Sequence, residues 1–254
     1  MRTTAKILFI CLLFLSFNPG YAQKRQPEIL WDNYGVPHIY SKTTAGMYYA
    51  FGWAQMHNDA NLLLKLYAQA RGIAAQYWGK AYLNNDVNVQ RFDLSELANK
   101  IYSEQHVEYR NYLNAFVKGI NDYAKAHPEN IGTDYKQILP VTPQDVIAHC
   151  VNVLSLVFVA GDNIYQARKQ GGPPGSNAMA IAASRSASKH AMLLANPHLP
   201  WWGLFTFFEA HLNGPGFDAY GAALVGMPVL AIAFNNNLGW THTVNTMDAS
   251  TRYQ

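Results

Sequence analysis

The chain changes character once, and that change limits what it can fold into. Up to about Ala160, apolar residues recur at helical spacing; after Ser176 they come in short alternating runs of strand type. Between the two lies "GDNIYQARKQGGPPG", a charged stretch that passes into a Gly/Pro cluster no helix or strand can hold. Immediately after that cluster stands one serine, Ser176, followed at once by "NAMAIA".

The earlier region opens with "EILWDNYGVPHIYSKT", two alternating runs around a Gly-Val-Pro turn, which predict a hairpin. From Thr44 to Trp78 the spacing predicts helix with Gly79 as its stop. Two further helical patterns run from Ser103 to Ala126, ended by "HPEN", and from Pro143 to Phe158. The later region carries "NAMAIA", "AMLLAN", "GLFTFFEAHL", "FDAYGAAL", "PVLAIAF" and "LGWTHTVN" as short strands separated by Gly, Pro and Asn. The expected class is α+β: a mostly helical part, residues 23–160, a spacer over 161–175, and strands from 176 to 254.

Half of the 254 residues are hydrophobic and 14% are charged, a composition that supports a globular core. Met1 to Gln23 reads as a secretory signal: Arg2 and Lys6 start it, "ILFICLLFLSF" is its apolar stretch, and "GYAQ" offers cleavage after Ala22. That stretch is short against the ~20 residues of a membrane span, so export to a periplasm or beyond is expected, with no stable membrane anchor. Removing Arg2 and Lys6 from 19 basic residues leaves 17 against 16 acidic ones, and a net charge of +1 argues for no nucleic-acid partner. Of the two cysteines, Cys11 lies in the signal and Cys150 in a helical run, where a lone thiol reads as core. The nine histidines form no zinc motif.

Ser176 is a turn serine by local chemistry, since Pro-Gly-Ser-Asn is good turn sequence. As a nucleophile it needs a base. Its flanks are not the G-x-S-x-G elbow of the α/β-hydrolases, because the strand follows the serine instead of preceding it. A second route remains: cutting the bond before the serine would free an α-amine, of pKa ~7.7–8 in model peptides, to act as base for its own side chain.

The ordered blocks "DNYGVPHIYSKT", "GWAQMHND" and "ARGIAAQYWG", then "GSNAMAIAASRSASKHAMLLANPHLPW" and "GMPVLAIAFNNNLGWTHTVNTMDAS", resemble the penicillin acylase family of N-terminal nucleophile hydrolases. That family includes acyl-homoserine lactone acylases and cephalosporin acylases. The resemblance implies the layered αββα fold, present only in part because the family pattern runs on past Gln254. It also implies a precursor that cleaves itself between Gly175 and Ser176 to give an α/β heterodimer, and hydrolysis of a linear amide of a small N-acyl compound through an acyl-Ser176 intermediate. No organic cofactor is expected.

Residue by residue, His198 in "NPHLP" matches the family histidine beside the nucleophile, and Val244 matches the residue whose backbone N–H is one arm of the oxyanion hole. Leu199 and Ala231 match positions lining the acyl pocket. Asp248 matches a calcium-ligand aspartate, with Thr251 at the next acidic position. Asn177 and Asn196 read as backbone-fixing residues, Asn235 to Asn237 as a turn, and Trp201, Trp202, Phe205, Phe207 and Phe208 as core or strand-face aromatics. Two rivals stand beside this reading: a Ser-His-Asp esterase, and a secreted remnant that only binds. Antibiotic deacylation, signal quenching and nutrient scavenging are all left open as roles.

Overall fold

A computed structural model describes residues 26–159 and 175–243. The stretch expected as a signal, most of the expected spacer, Val244 and Asp248 lie outside them. The chain starts with strands β1 (Glu28–Trp31) and β2 (Pro37–Tyr40), paired antiparallel as expected. Their turn is built by Asp32, whose Oδ1 accepts the N–H groups of Tyr34 at 2.8 Å and Val36 at 2.9 Å, and by Gly35 at φ 79°.

Helices follow: α1 (Thr44–Asn58), α2 (Ala60–Ala70), α3 (Ala74–Trp78), α4 (Leu83–Arg91), α5 (Leu94–Glu104), α6 (Val107–Ala126), the single turn α7 (Thr133–Lys136) and α8 (Pro143–Val151). Asn152–Val159 carries α8 on in π-helical form. The stretch expected as helix from Thr44 to Trp78 is thus three helices, because Asp59 caps a new start through Leu62 N–H at 2.9 Å and Gly72 turns the chain at φ 68°. Gly79 ends α3 at φ 83°, as expected. The helix expected over Ser103–Ala126 begins instead at Val107, where His106 Nδ1 accepts the N–H of Glu108; Ser103 belongs to α5.

Helices α1 and α6 touch backbone to backbone. A Cβ on Gly52 would lie 2.0 Å from the carbonyl oxygen of Phe116, and one on Gly119 would lie 1.9 Å from that of Tyr49. Only glycine on both sides permits that approach. The helical layer then buries Phe51, Leu63, Leu64, Leu66 and Phe116 completely. Each such side chain contributes about 1.5–3 kcal/mol by leaving water.

The partner of this layer is one face of a six-stranded sheet, ordered β1-β2-β5-β6-β7-β8, with β5 (Phe207–Gly214), β6 (Phe217–Leu224), β7 (Ile232–Phe234) and β8 (Gly239–Trp240). Ile39, Phe208, Ala210, Leu212, Ala219 and Ala223 alternate onto the helix face and join the same core. Neighbouring strands run antiparallel except β2 and β5, which pair in parallel with His38 opposite His211. Strands from both sides of the Gly/Pro segment therefore share one sheet.

The remaining strands, β3 (Gly175–Ile181) and β4 (Met192–His198), form a separate antiparallel ribbon. It stands over the second face of the sheet, across a cleft of about 1080 Å³ whose walls include Ile181, Leu193, Glu209, Tyr220 and Phe234. The layers among the described residues are helices, sheet and ribbon, in keeping with an α+β fold. Trp201 and Trp202 correct the expectation of core or strand-face aromatics: they are 91% and 64% exposed, on a bend between β4 and β5, whereas Phe208 is buried.

Cys150 packs against the core, and burial pushes its thiol up to about 12, so it is not a nucleophile. Asn235 to Asn237 form the expected turn, with Asn235 Oδ1 accepting the N–H groups of Asn237 and Leu238, both at 2.8 Å.

Candidate functional site

Ser176 is the second residue of β3. The register pairs Gly175 with His198, Ser176 with Pro197, and Asn177 with Asn196. A hairpin with its turn near Ser186 to Lys189 thereby brings Ser176 and His198, far apart in sequence, to one end of the ribbon. Ser176 Oγ donates to the carbonyl oxygen of Gly175 at 2.8 Å and accepts the backbone N–H of His198 at 3.3 Å. Gly175 lies in the strand already, with open space where its Cβ would stand, so the bond before the serine is uncrowded on that side. Ser176 itself is half-buried and His198 exposed.

The expected pocket residues are placed less closely. Leu199 follows β4 and is half-buried. Ala231 enters β7, where its N–H donates to Ala222 O at 2.8 Å. Neither they nor Ser176 and His198 line the cleft between ribbon and sheet, which lies toward the other end of the ribbon. Val244 and Asp248 fall outside the described residues. Among those described, no three His, Cys, Asp or Glu side chains are gathered as a metal-binding group, and the calcium pattern has a hydroxyl at Thr251 where it calls for a carboxylate.

Two polar clusters went unread in the sequence. The first is buried and holds the turn after β6. Gln55 Nε2 donates to Met227 O at 3.0 Å and its Oε1 accepts Gly226 N–H at 2.8 Å; Tyr67 Oη donates to Gly226 O at 2.9 Å. His149 Nε2 lies 2.9 Å from Val225 O, so that nitrogen carries the proton, while Nδ1 finds no partner. Burial lowers the His149 pKa to about 4, offset in part by the Val225 carbonyl, and the ring is neutral at pH 7.

The second cluster lies on the sheet's ribbon-side face: His38, His211, Asp32, Asp218, Tyr220 and Glu209. Tyr220 Oη donates to Glu209 Oε1 at 2.6 Å, and desolvation together with that carboxylate raises the phenol to about 12. The period-2 pattern of "FFEAHLNG" and "FDAYGAAL" already puts Glu209 with His211, and Asp218 with Tyr220, on one face. That alternation was the available signal.

Among the described residues, no helix is long and apolar enough to cross a membrane.

Residues 26–254 match the family model described as penicillin amidase. The acyl-homoserine lactone acylase PvdQ of Pseudomonas fluorescens is 28% identical over 289 aligned positions, covering 96% of this chain and 37% of that protein. Aculeacin-A acylase of Actinoplanes utahensis is 45% identical over 73 positions, 28% of this chain and 9% of that protein. Thermostable penicillin G acylase from Alcaligenes faecalis aligns at 22% identity with a TM-score of 0.45, over 58% of this chain and 85% of that one. The chain spans little more than a third of the length of the curated acyl-homoserine lactone acylases it matches. With the matched segment running through the hairpin, the helical layer, the ribbon and the sheet, this chain belongs to the penicillin amidase family.

Proposed function

We propose that Ser176 is the nucleophile of an acylase that hydrolyses a linear amide in an N-acyl compound, and that the chain first cleaves itself at Gly175-Ser176. The observation that carries this reading is the placement of Ser176 Oγ, 2.8 Å from the oxygen of the carbonyl it would attack and touched by the His198 N–H. Attack of Oγ on the Gly175 carbonyl carbon forms a C–O bond, and the C–N bond to Ser176 breaks as its nitrogen takes a proton. Water then hydrolyses the ester, leaving a carboxylate on Gly175 and a free amine on Ser176.

In the mature site that amine serves as the base a serine hydroxyl lacks at neutral pH. Ser176 Oγ attacks the substrate amide, the amine product departs with the proton, and water releases the acid from the acyl-serine. The Val244 N–H supplies one donor to the oxyanion, a contact of a kind that contributes ~2.7–4 kcal/mol. His198, fixed opposite Gly175, orients the serine through its backbone N–H. The acyl-homoserine lactone and aculeacin acylases among its relatives support an N-acyl compound as substrate. The apolar run Ile7 to Phe17 behind Arg2 and Lys6, with the small residues before Gln23, supports export.

Intact-mass analysis of purified protein tests the first step. The expected result is two pieces whose masses sum to the precursor plus one water, the later piece beginning at Ser176, with Ser176→Ala remaining whole. A Ser176→Ala chain cut at the same bond would assign the cleavage to an outside protease and sink the proposal.

A further inference from the structure

The sheet's ribbon-side face holds a pair of histidines that neither the cleavage nor the acylase chemistry uses. His38 on β2 and His211 on β5 are direct partners in the parallel pairing of those strands, and their Nδ1 atoms approach to 3.2 Å. The rings meet edge to face, 5.3 Å between centroids, with Tyr40 and Tyr220 packed against them.

Each ring's other nitrogen faces a carboxylate. His211 Nε2 is 2.7 Å from Asp218 Oδ1, and His38 Nε2 is 3.6 Å from Asp32 Oδ2, within ion-pair reach. Asp32 is itself fixed, because its Oδ1 accepts the Tyr34 and Val36 N–H groups. Ionised carboxylates only accept, so Asp218 holds the His211 proton on Nε2 and leaves its Nδ1 a bare lone pair. At 3.2 Å that lone pair takes either a proton from His38 Nδ1 or, when Asp32 draws the His38 proton to Nε2, a cation shared by both Nδ1 atoms.

We infer that His38 and His211 form a two-histidine site for a divalent transition metal of the zinc type, bound through both Nδ1 atoms. Zinc–nitrogen bonds of about 2.0–2.1 Å at a tetrahedral angle set the two nitrogens about 3.3 Å apart, close to the separation found here. A metal-bound histidine whose other N–H is held by a carboxylate is the usual second-layer arrangement around zinc; His211 has it at Asp218, and His38 has Asp32 within ion-pair reach. Asp32, Asp218 and the nearby Glu209 supply negative charge for a dication. The side chains of His38 and His211 keep 29% and 19% of their exposure, so water can reach the metal and complete its coordination. Imidazole nitrogen suits zinc, copper or nickel and not calcium or magnesium. In metal-free protein the His38 Nδ1–H donates across the same gap to His211 Nδ1.

The test is equilibrium dialysis of chelator-stripped protein against Zn²⁺ alone. One Zn²⁺ per chain is expected, undisplaced by excess Ca²⁺. Asp218→Asn is expected to weaken uptake by about 10- to 100-fold, and His38→Gln or His211→Gln by more than that. Circular dichroism checks that each variant folds. Should a variant not fold, ¹⁵N-histidine spectra of the unaltered protein decide: Zn²⁺ must move the Nδ1 signals of His38 and His211 while their Nε2 atoms stay protonated. No uptake, meaning that the pair holds a proton only, overturns the inference. So does uptake that neither histidine substitution reduces, or a Zn²⁺ response confined to other histidines.

Discussion

The junction of helices and sheet and the ribbon that carries Ser176 are built on opposite terms. At the junction, two glycines let α1 and α6 meet backbone to backbone, and Gln55, Tyr67 and His149 satisfy the turn at Val225 to Met227 from inside the core. Arg71 grips Asp145 with two hydrogen bonds of 2.7 Å, and the same carboxylate closes the capping box of α8. The ribbon has seven paired positions but little burial: Met179, Met192, Leu193 and Leu194 are exposed. Its order comes from backbone pairing, while that of the junction comes from close packing and satisfied buried polar groups. The two regions should therefore answer very differently to equally small changes.

The sharpest break is Gly119→Ala. The added methyl would sit 1.9 Å from Tyr49 O, and a backbone carbonyl cannot swing aside, so a loss of about 3 kcal/mol or more is expected in urea or thermal unfolding. A variant as stable as the parent would show that α1 and α6 are not packed this closely.

Next in size is acid sensitivity at His149. Its folded pKa of about 4 lies below its ordinary 6.5, so the unfolded chain takes the proton first as pH falls. The stability that the neutral ring secures is complete above pH 6.5, declines between about 6.5 and 4, and is gone below. The difference amounts to on the order of 3 kcal/mol at 1.36 kcal/mol per pKa unit. In His149→Gln, which keeps a donor for Val225 O and cannot titrate, that part of the pH slope should vanish. Parallel slopes in parent and variant would remove His149 from the account.

The smallest effect is expected on the ribbon. Leu194 is 49% exposed, and Leu194→Ala should shift stability by no more than about 0.5 kcal/mol, as most exposed substitutions do. A loss of 2 kcal/mol or more would mean that the ribbon is packed like the core, and the contrast would fail.

The contrast also governs what could be read from the sequence. The strands were legible because alternation is local, and so was the end of α3 at Gly79. Helices α4 and α5 were not, because "LNNDVNVQR" and "LSELANK" bury only Val89, Leu94, Ala98 and the polar Asp86. Asp93, three residues ahead of Glu96 and accepting its N–H, was the cap signal that could have revealed α5. Ser176 and His198 lie in adjacent strand runs, so their meeting followed from a simple hairpin. His38 and His211 are 173 positions apart and meet only because β2 slots in parallel beside β5, a pairing that no local pattern encodes. The exposure of Trp201 and Trp202 was equally hidden, since aromatic character reports an appetite for burial and not whether a bend grants it.

The β2–β5 pairing would reach furthest if Gly175-Ser176 were cut as proposed. The break would yield two polypeptides, yet β1 and β2 would stay laced into the sheet they share with the later piece, and α1 would keep Phe51 against Phe208. Neither piece could then leave without tearing a shared core. After denaturation, however, the two would have to find each other in solution, so recovery of the cut form becomes second order and falls with dilution, while the uncut chain refolds at a rate indifferent to concentration.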